Sequence, residues 1–154
     1  MTSERGFTYL ELIATVIVLS ILASAVMPTA RIARTRQKEI ELRRSLRQLR
    51  TAIDGYHDAV VQGRIGGTDV KLGSEGYPPD LEVLVEGVNQ VGKVDVKLKF
   101  LRRLPVDPMT GKAEWGRRCY QDDPDSTSWC GENVWDVYSQ SQGLGLDGSK
   151  YREW

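Results

Sequence analysis

GFTYLELIATVIVLSILASAVMPTA, residues Gly6 to Ala30, decides how this chain is read. The stretch holds one charged residue, Glu11, in an otherwise apolar run. A carboxylate inside a membrane segment costs on the order of 2.5–3.5 kcal/mol even on lenient insertion scales, so it is normally there to meet a partner. An apolar helix with a carboxylate near its start points to a membrane protein that assembles. From Phe7 to Ala30 there are 24 residues, about 36 Å of helix, against a hydrocarbon core of about 30 Å. The expectation is a transmembrane helix over residues 7–30, preceded by a short polar leader, residues 1–6.

A secretory signal peptide is the rival, because Ala23-Ser24-Ala25 has the small-residue pattern of a cleavage site after an apolar stretch. Such a signal needs a positive flank. Residues 1–11 set Arg5 against Glu4 and Glu11, so the uncleaved anchor is the favoured reading. The alternative it leaves is a periplasmic binding module released after Ala25.

Outward from the anchor, about 120 residues remain for one small domain with one core. Formal net charge is zero, but residues 31–50 hold eight basic and two acidic side chains, and residues 51–154 hold twelve and seventeen, a split of +6 and −5. Lys and Arg usually mark the cytoplasmic side of a membrane segment, which by itself would put the domain in the cytoplasm. Cys119 and Cys130 could form one disulfide, a bond that persists outside the cytoplasm.

Leu42, Leu46, Leu49, Ile53, Tyr56 and Val60 follow at spacings of 4, 3, 4, 3 and 4, one apolar stripe on a helix. The helix is expected to continue from the anchor, so residues 31–62 form a neck and packing helix, with Gly55 a tolerable weakness. Five glycines between Gln62 and Gly76 end it in a loop. Pro78-Pro79-Asp80 starts a short helix, Leu81 to Glu86. Val94 to Phe100 alternates with period two, and Trp115 to Tyr120 and Val134 to Ser139 are short, aromatic and bounded by turn residues, as an antiparallel sheet requires. Residues 63–154 are therefore a globular head of loop, short helix and strands. The fold class is α+β, a long N-terminal helix packed on a small antiparallel sheet.

Gly6-Phe7-Thr8 followed by Leu10-Glu11-Leu12 resembles the processing site of type IV pilins and of the pseudopilins of type II secretion. Tyr77-Pro78-Pro79, the run Leu104-Pro105-Val106-Asp107-Pro108-Met109-Thr110-Gly111, and Val134-Trp135-Asp136-Val137-Tyr138-Ser139 look like the globular part of the major pseudopilin, and Pro28 falls where many of these proteins place a helix-loosening proline. The resemblance implies cleavage after Gly6 by a prepilin peptidase, methylation of the new N-terminal Phe7, and pairing of Glu11 with the N-terminus of a neighbouring subunit. It implies a pilin-like fold in a structural, non-enzymatic subunit of a pseudopilus that drives type II protein secretion; a subunit of a surface type IV pilus is the near alternative. The implied location is the bacterial inner membrane, single-pass, with N-terminus cytoplasmic and head periplasmic, in a periplasmic filament. Implied partners are further copies in a helical homopolymer, the peptidase, the membrane, an inner-membrane assembly platform and minor pseudopilins.

Chemistry of other kinds finds little support. His57, the single histidine, sits beside the apolar stripe without a nucleophile motif, as a surface or boundary residue does. Gly143 to Gly148 spells G-x-G-x-x-G, but six residues follow, too few for the helix and strand of a dinucleotide site. No cofactor is expected. Calcium is the candidate the resemblance raises, in the loop from Gln140 to Lys150, yet that loop offers only Asp147, with Glu153 beyond, to a cation that takes six to eight oxygens. Asp122, Asp123 and Asp125 are a second, weak divalent-ion candidate; an exposed acidic loop tip is the favoured reading. The clustered neck arginines would attract phosphate, but no aromatic residues interleave them as single-strand binding prefers. Nucleic acid is not expected as a partner.

Overall fold

The computed structural model describes residue 6 and residues 8–67, 70–93 and 96–154, except the side chains of residues 25–29. Phe7, the side chains of Ala25 and Pro28, and the first two residues of the Val94 to Phe100 run lie outside the described set. Helix α1 covers Tyr9–Val61, followed by α2 (Val83–Glu86), β1 (Val88–Asn89), β2 (Lys97–Leu98), β3 (Gly116–Arg118), β4 (Asp136–Tyr138) and a terminal 3-10 turn, Tyr151–Glu153. The chain is thus α+β, with a long N-terminal helix and small antiparallel sheets. It divides into two compact units, residues 1–37 and 38–154.

In the first unit Thr8 opens α1: its Oγ1 accepts from the Glu11 amide at 3.3 Å and its carbonyl from the Leu12 amide at 3.1 Å, satisfying donors that the first turn leaves without partners. Leu10, Leu12, Val16, Ile17, Leu19 and Leu22 are all exposed, and at about 100° per residue they point all round the helix. One expectation is overturned here. Among the described residues no helix is long and apolar enough to cross a membrane, which corrects the transmembrane span over residues 7–30 and the single-pass inner-membrane location. Glu11 stands in the first turn of the helix among those apolar side chains, and a carboxylate there counts against any span that includes it.

The second unit is built on the stripe of α1. Leu42, Leu49, Ile53 and Tyr56 are completely buried and Leu46 is 2% exposed, each burial worth about 1.5–3 kcal/mol relative to exposure. Ile65, Leu84, Trp115, Val134 and Val137 close the core over them. A Cβ at Gly55 would meet the Phe100 ring at 3.5 Å, ordinary contact distance, so the helix passes there without needing a glycine. Helix α2 begins at Val83 rather than Leu81; ahead of it the Asp80 carboxylate accepts from the Val83 amide at 3.0 Å.

The single sheet expected is two two-stranded sheets. Strand β1 pairs with β2, Val88 opposite Leu98, and β3 pairs with β4, Gly116 opposite Tyr138 and Arg118 opposite Asp136. The alternating run ending at Phe100 yields only Lys97–Leu98 as strand. Its end is diverted: the amides of Phe100 and Leu101 both donate to the Leu84 carbonyl, at 3.0 and 2.9 Å. Strand β3 is shorter than the Trp115 to Tyr120 expected, since the Cys119 amide turns to the Asp122 carboxylate at 2.7 Å.

Candidate functional site

Among residues 10–24 the hydroxyls look after themselves. Thr15, Ser20 and Ser24 donate to the carbonyls of Leu12, Val16 and Ile21 at 2.7–2.8 Å, so none needs a partner from outside the helix. Glu11 differs. Its exposed side chain, in the first turn of α1, has no hydrogen bond or ion pair among the described residues. The N-terminal end of the helix dipole favours an anion there, but an apolar covering would leave that carboxylate wanting a cation. Gly6 is exposed, with nothing within 4 Å of where a Cβ would stand; its neighbour Phe7 lies outside the described residues.

The three downstream motifs converge. Asp107, completely buried, accepts from the Ser139 hydroxyl at 2.6 Å and from the Met109 amide at 2.8 Å, tying the Leu104 to Gly111 turn to the end of β4. The Pro78 carbonyl accepts from the Val134 amide at 2.8 Å, tying Tyr77-Pro78-Pro79 to the start of the same segment. Tyr77 stacks between His57 and Tyr120, with ring centroids 4.5 and 5.7 Å away; burial above all raises its hydroxyl pKa. That stack gives His57 a packing role.

Cys119 and Cys130 are joined by a disulfide with Cα atoms 6.0 Å apart. Asp122 lies within 4.8 Å of both sulfurs, but sulfurs bonded to each other offer no thiolate to a metal. The Asp122 carboxylate instead holds the base of the loop through the Cys119 amide, and Asp123 and Asp125 stay exposed at its tip.

The loop after β4 does not gather ligands for calcium. Asp147 Oδ1 accepts from the amide and hydroxyl of Ser149 at 3.0 and 2.6 Å, and Oδ2 lies 3.7 Å from Arg43. Those serine hydrogen bonds first, and Arg43 to a smaller degree, hold its carboxyl below the usual range. Glu153 pairs with Lys150 at 3.4 Å. With its two carboxylates committed to different partners, the loop does not fit a hard cation that needs several convergent oxygens. Gly143 to Gly148 belongs to this loop, closed by the Gly145 amide donating to the Ser149 carbonyl at 2.7 Å.

Sequence reasoning passed over two groups. Glu39 Oε1 accepts from the Leu146 amide at 2.7 Å and the Tyr151 hydroxyl at 3.1 Å, clasping the C-terminal loop to α1. Its place three residues before Leu42, on the line of the stripe, was the available signal. Asp136 receives Arg50 Nε on one oxygen at 2.7 Å and Arg118 Nη1 on the other at 3.2 Å, and Arg50 also donates to the Trp154 carbonyl at 2.9 Å. No local pattern selects that triad from the seventeen acidic residues between positions 51 and 154.

Fold and site together describe an α+β chain whose long helix bears an uncovered apolar surface with one unpartnered carboxylate, and whose head is stapled by a disulfide. No family model, no curated protein and no solved structure matches this chain.

Proposed function

We propose that this chain is a structural subunit of a pilin-like filament, a pseudopilus serving type II protein secretion, which assembles through the N-terminal part of α1. The observation that carries the reading is Glu11, the one acidic side chain among exposed neighbours that are apolar or satisfied within their own helix among the described residues. Packing copies of α1 together covers the apolar surface and desolvates that carboxylate. Covering is favourable only if a cation arrives with it. Cleavage after Gly6 supplies one, the amine of Phe7. A pair within one helix would give no reason to associate, whereas an amine from a neighbouring copy fixes the axial register of the incoming subunit. The Gly6-Phe7-Thr8 and Leu10-Glu11-Leu12 pattern supports the same reading.

Glu11→Gln is expected to leave cleavage and head folding intact and to slow filament growth at least tenfold, read by filament yield and by incorporation into wild-type filaments. Incorporation at wild-type efficiency in its own filaments would sink the proposal. Intact mass of the isolated protein gives an independent check: loss of residues 1–6 with one added methyl is expected, and a product starting at Val26 would assign the chain to a released module instead.

A further inference from the structure

A groove on the head is lined by four arginines, Arg44 and Arg47 from α1 and Arg102 and Arg103 from the segment after β2, over a floor that includes Phe100 and Leu101, and it encloses about 780 Å³. All four guanidinium groups are exposed, and none has an ion pair or hydrogen bond among the described residues. Four like charges around an apolar concavity repel one another until an anion arrives. A fitting occupant carries at least two carboxylates and a small apolar body between them.

The chain carries such a segment. Asp123-Pro124-Asp125 is exposed at the tip of the loop closed by Cys119 and Cys130, and neither carboxylate has an ion pair among the described residues. Asp125 borders Lys150 and Arg152 without pairing to either. The loop is held in shape before any encounter, by the disulfide, by Asp122 on the Cys119 amide at 2.7 Å and by the Ser126 amide on the Asp123 carbonyl at 2.9 Å. A segment already ordered loses less entropy on docking.

The loop does not belong to its own groove. Arg44, Gln48 and Thr51 line the groove, and Arg47 at its edge also faces Arg43, Arg50 and Trp154. Pro124 and Asp125 of the loop border Arg118, Lys150, Arg152 and Glu153, none of which lines the groove, and Arg118 ties the loop to β4 by bonding both Asp136 and the Ser126 carbonyl. Groove and loop are therefore different patches. A contact between different patches on identical subunits is heterologous and leaves a free patch at each end.

We propose that the arginine groove docks the Asp122 to Asp125 loop of a second copy of this chain. The inference rests on the filament reading and adds to it a contact between heads, directional and electrostatic, beside the one made by the helices.

The test uses the chain processed after Gly6, its self-association measured by sedimentation at low and high ionic strength, with folding checked by circular dichroism and by retention of the disulfide. R102E/R103E in the groove and D123K/D125K in the loop are each expected to weaken self-association at least tenfold at low salt, and an equimolar mixture of the two is expected to restore it, since the reversed groove then meets a reversed loop. Should a reversed chain misfold, R103Q and D123N read the same contact more mildly, with a smaller loss of the same sign. Unchanged association in both reversals, or a mixture that fails to recover, would overturn the proposal. So would a groove reversal that abolishes binding of a single-stranded oligonucleotide while the loop reversal changes nothing. Glu11→Gln measured alongside separates the two readings: association lost there but untouched by the reversals removes the groove contact and leaves the filament, and a wild-type chain that stays monomeric at every salt concentration removes both.

Discussion

At Gly116 the backbone of β3 passes so close beneath Tyr138 that an added Cβ would fall within the ring. Gly116→Ala must displace that ring from its place under Arg118, whose Cζ lies 4.3 Å from the centroid. A loss of about 1–3 kcal/mol in denaturant unfolding is expected, the usual cost of overpacking. Gly55 gives the opposite sign. Phe100 stands 3.5 Å from its Cβ position, ordinary contact distance, so Gly55→Ala is expected to raise stability by about 0.5–1 kcal/mol through helix propensity. Both glycines were visible in the sequence, but neither role was: the contact of Gly55 with Phe100 and of Gly116 with Tyr138 joins residues far apart in the chain. The stripe from Leu42 to Tyr56 was legible because its meaning is local, set by the pitch of a helix.

The C-terminal loop and turn form the element with the clearest pH response. Burial first, and then the hydrogen bond to Glu39, push the Tyr151 hydroxyl above its ordinary value. A group whose folded pKa is raised contributes stability that is fully present below its unfolded pKa of about 10 and is lost as pH rises through the folded value. Tryptophan fluorescence, which includes Trp154 beside Tyr151, is expected to report release of the turn above about pH 10, a transition absent in Tyr151→Phe. Asp147 works at the other end of the scale. Its lowered pKa makes its contribution present above the ordinary carboxylate range and lost as pH falls through the folded value, so acid loosening of the same loop below about pH 4 is expected to disappear in Asp147→Asn. For the disulfide loop, replacing Cys119 and Cys130 by serine is expected to cost about 3 kcal/mol in thermal or urea unfolding, by loss of a chain constraint across eleven residues.

Across the whole head, Asp136 joins three parts of the chain: Arg50 on α1, Arg118 on β3 and, through Arg50, the carbonyl of Trp154. The Arg118 side chain is only 5% exposed, so losing its carboxylate leaves a charge poorly solvated. Asp136→Asn is expected to cost about 2–3 kcal/mol in urea unfolding, below the usual range for a broken buried pair because Arg118 keeps the carbonyls of Ser126 and Arg152. The same variant should free the C-terminal turn, read as faster amide exchange at Trp154. Arg50 and Asp136 were each readable as charged residues on a helix and a strand. Their pairing spans 86 positions, and nothing in either neighbourhood announces it.

What the sequence determined by itself is what local chemistry encodes: a helix from the apolar stripe, its end in a glycine-rich segment, a short helix after paired prolines, strands among aromatic runs, and two cysteines able to pair. The tertiary structure decided the rest. It divided one expected sheet into two, gave the amides of Phe100 and Leu101 to the Leu84 carbonyl rather than to a strand, committed Asp147 to Ser149 and Arg43, and set Glu39 against a loop 107 residues away. Such choices are competitions among distant groups for one donor, acceptor or space. Periodicity along a chain carries the shape of an element, but the winner of each competition exists only once the elements have packed.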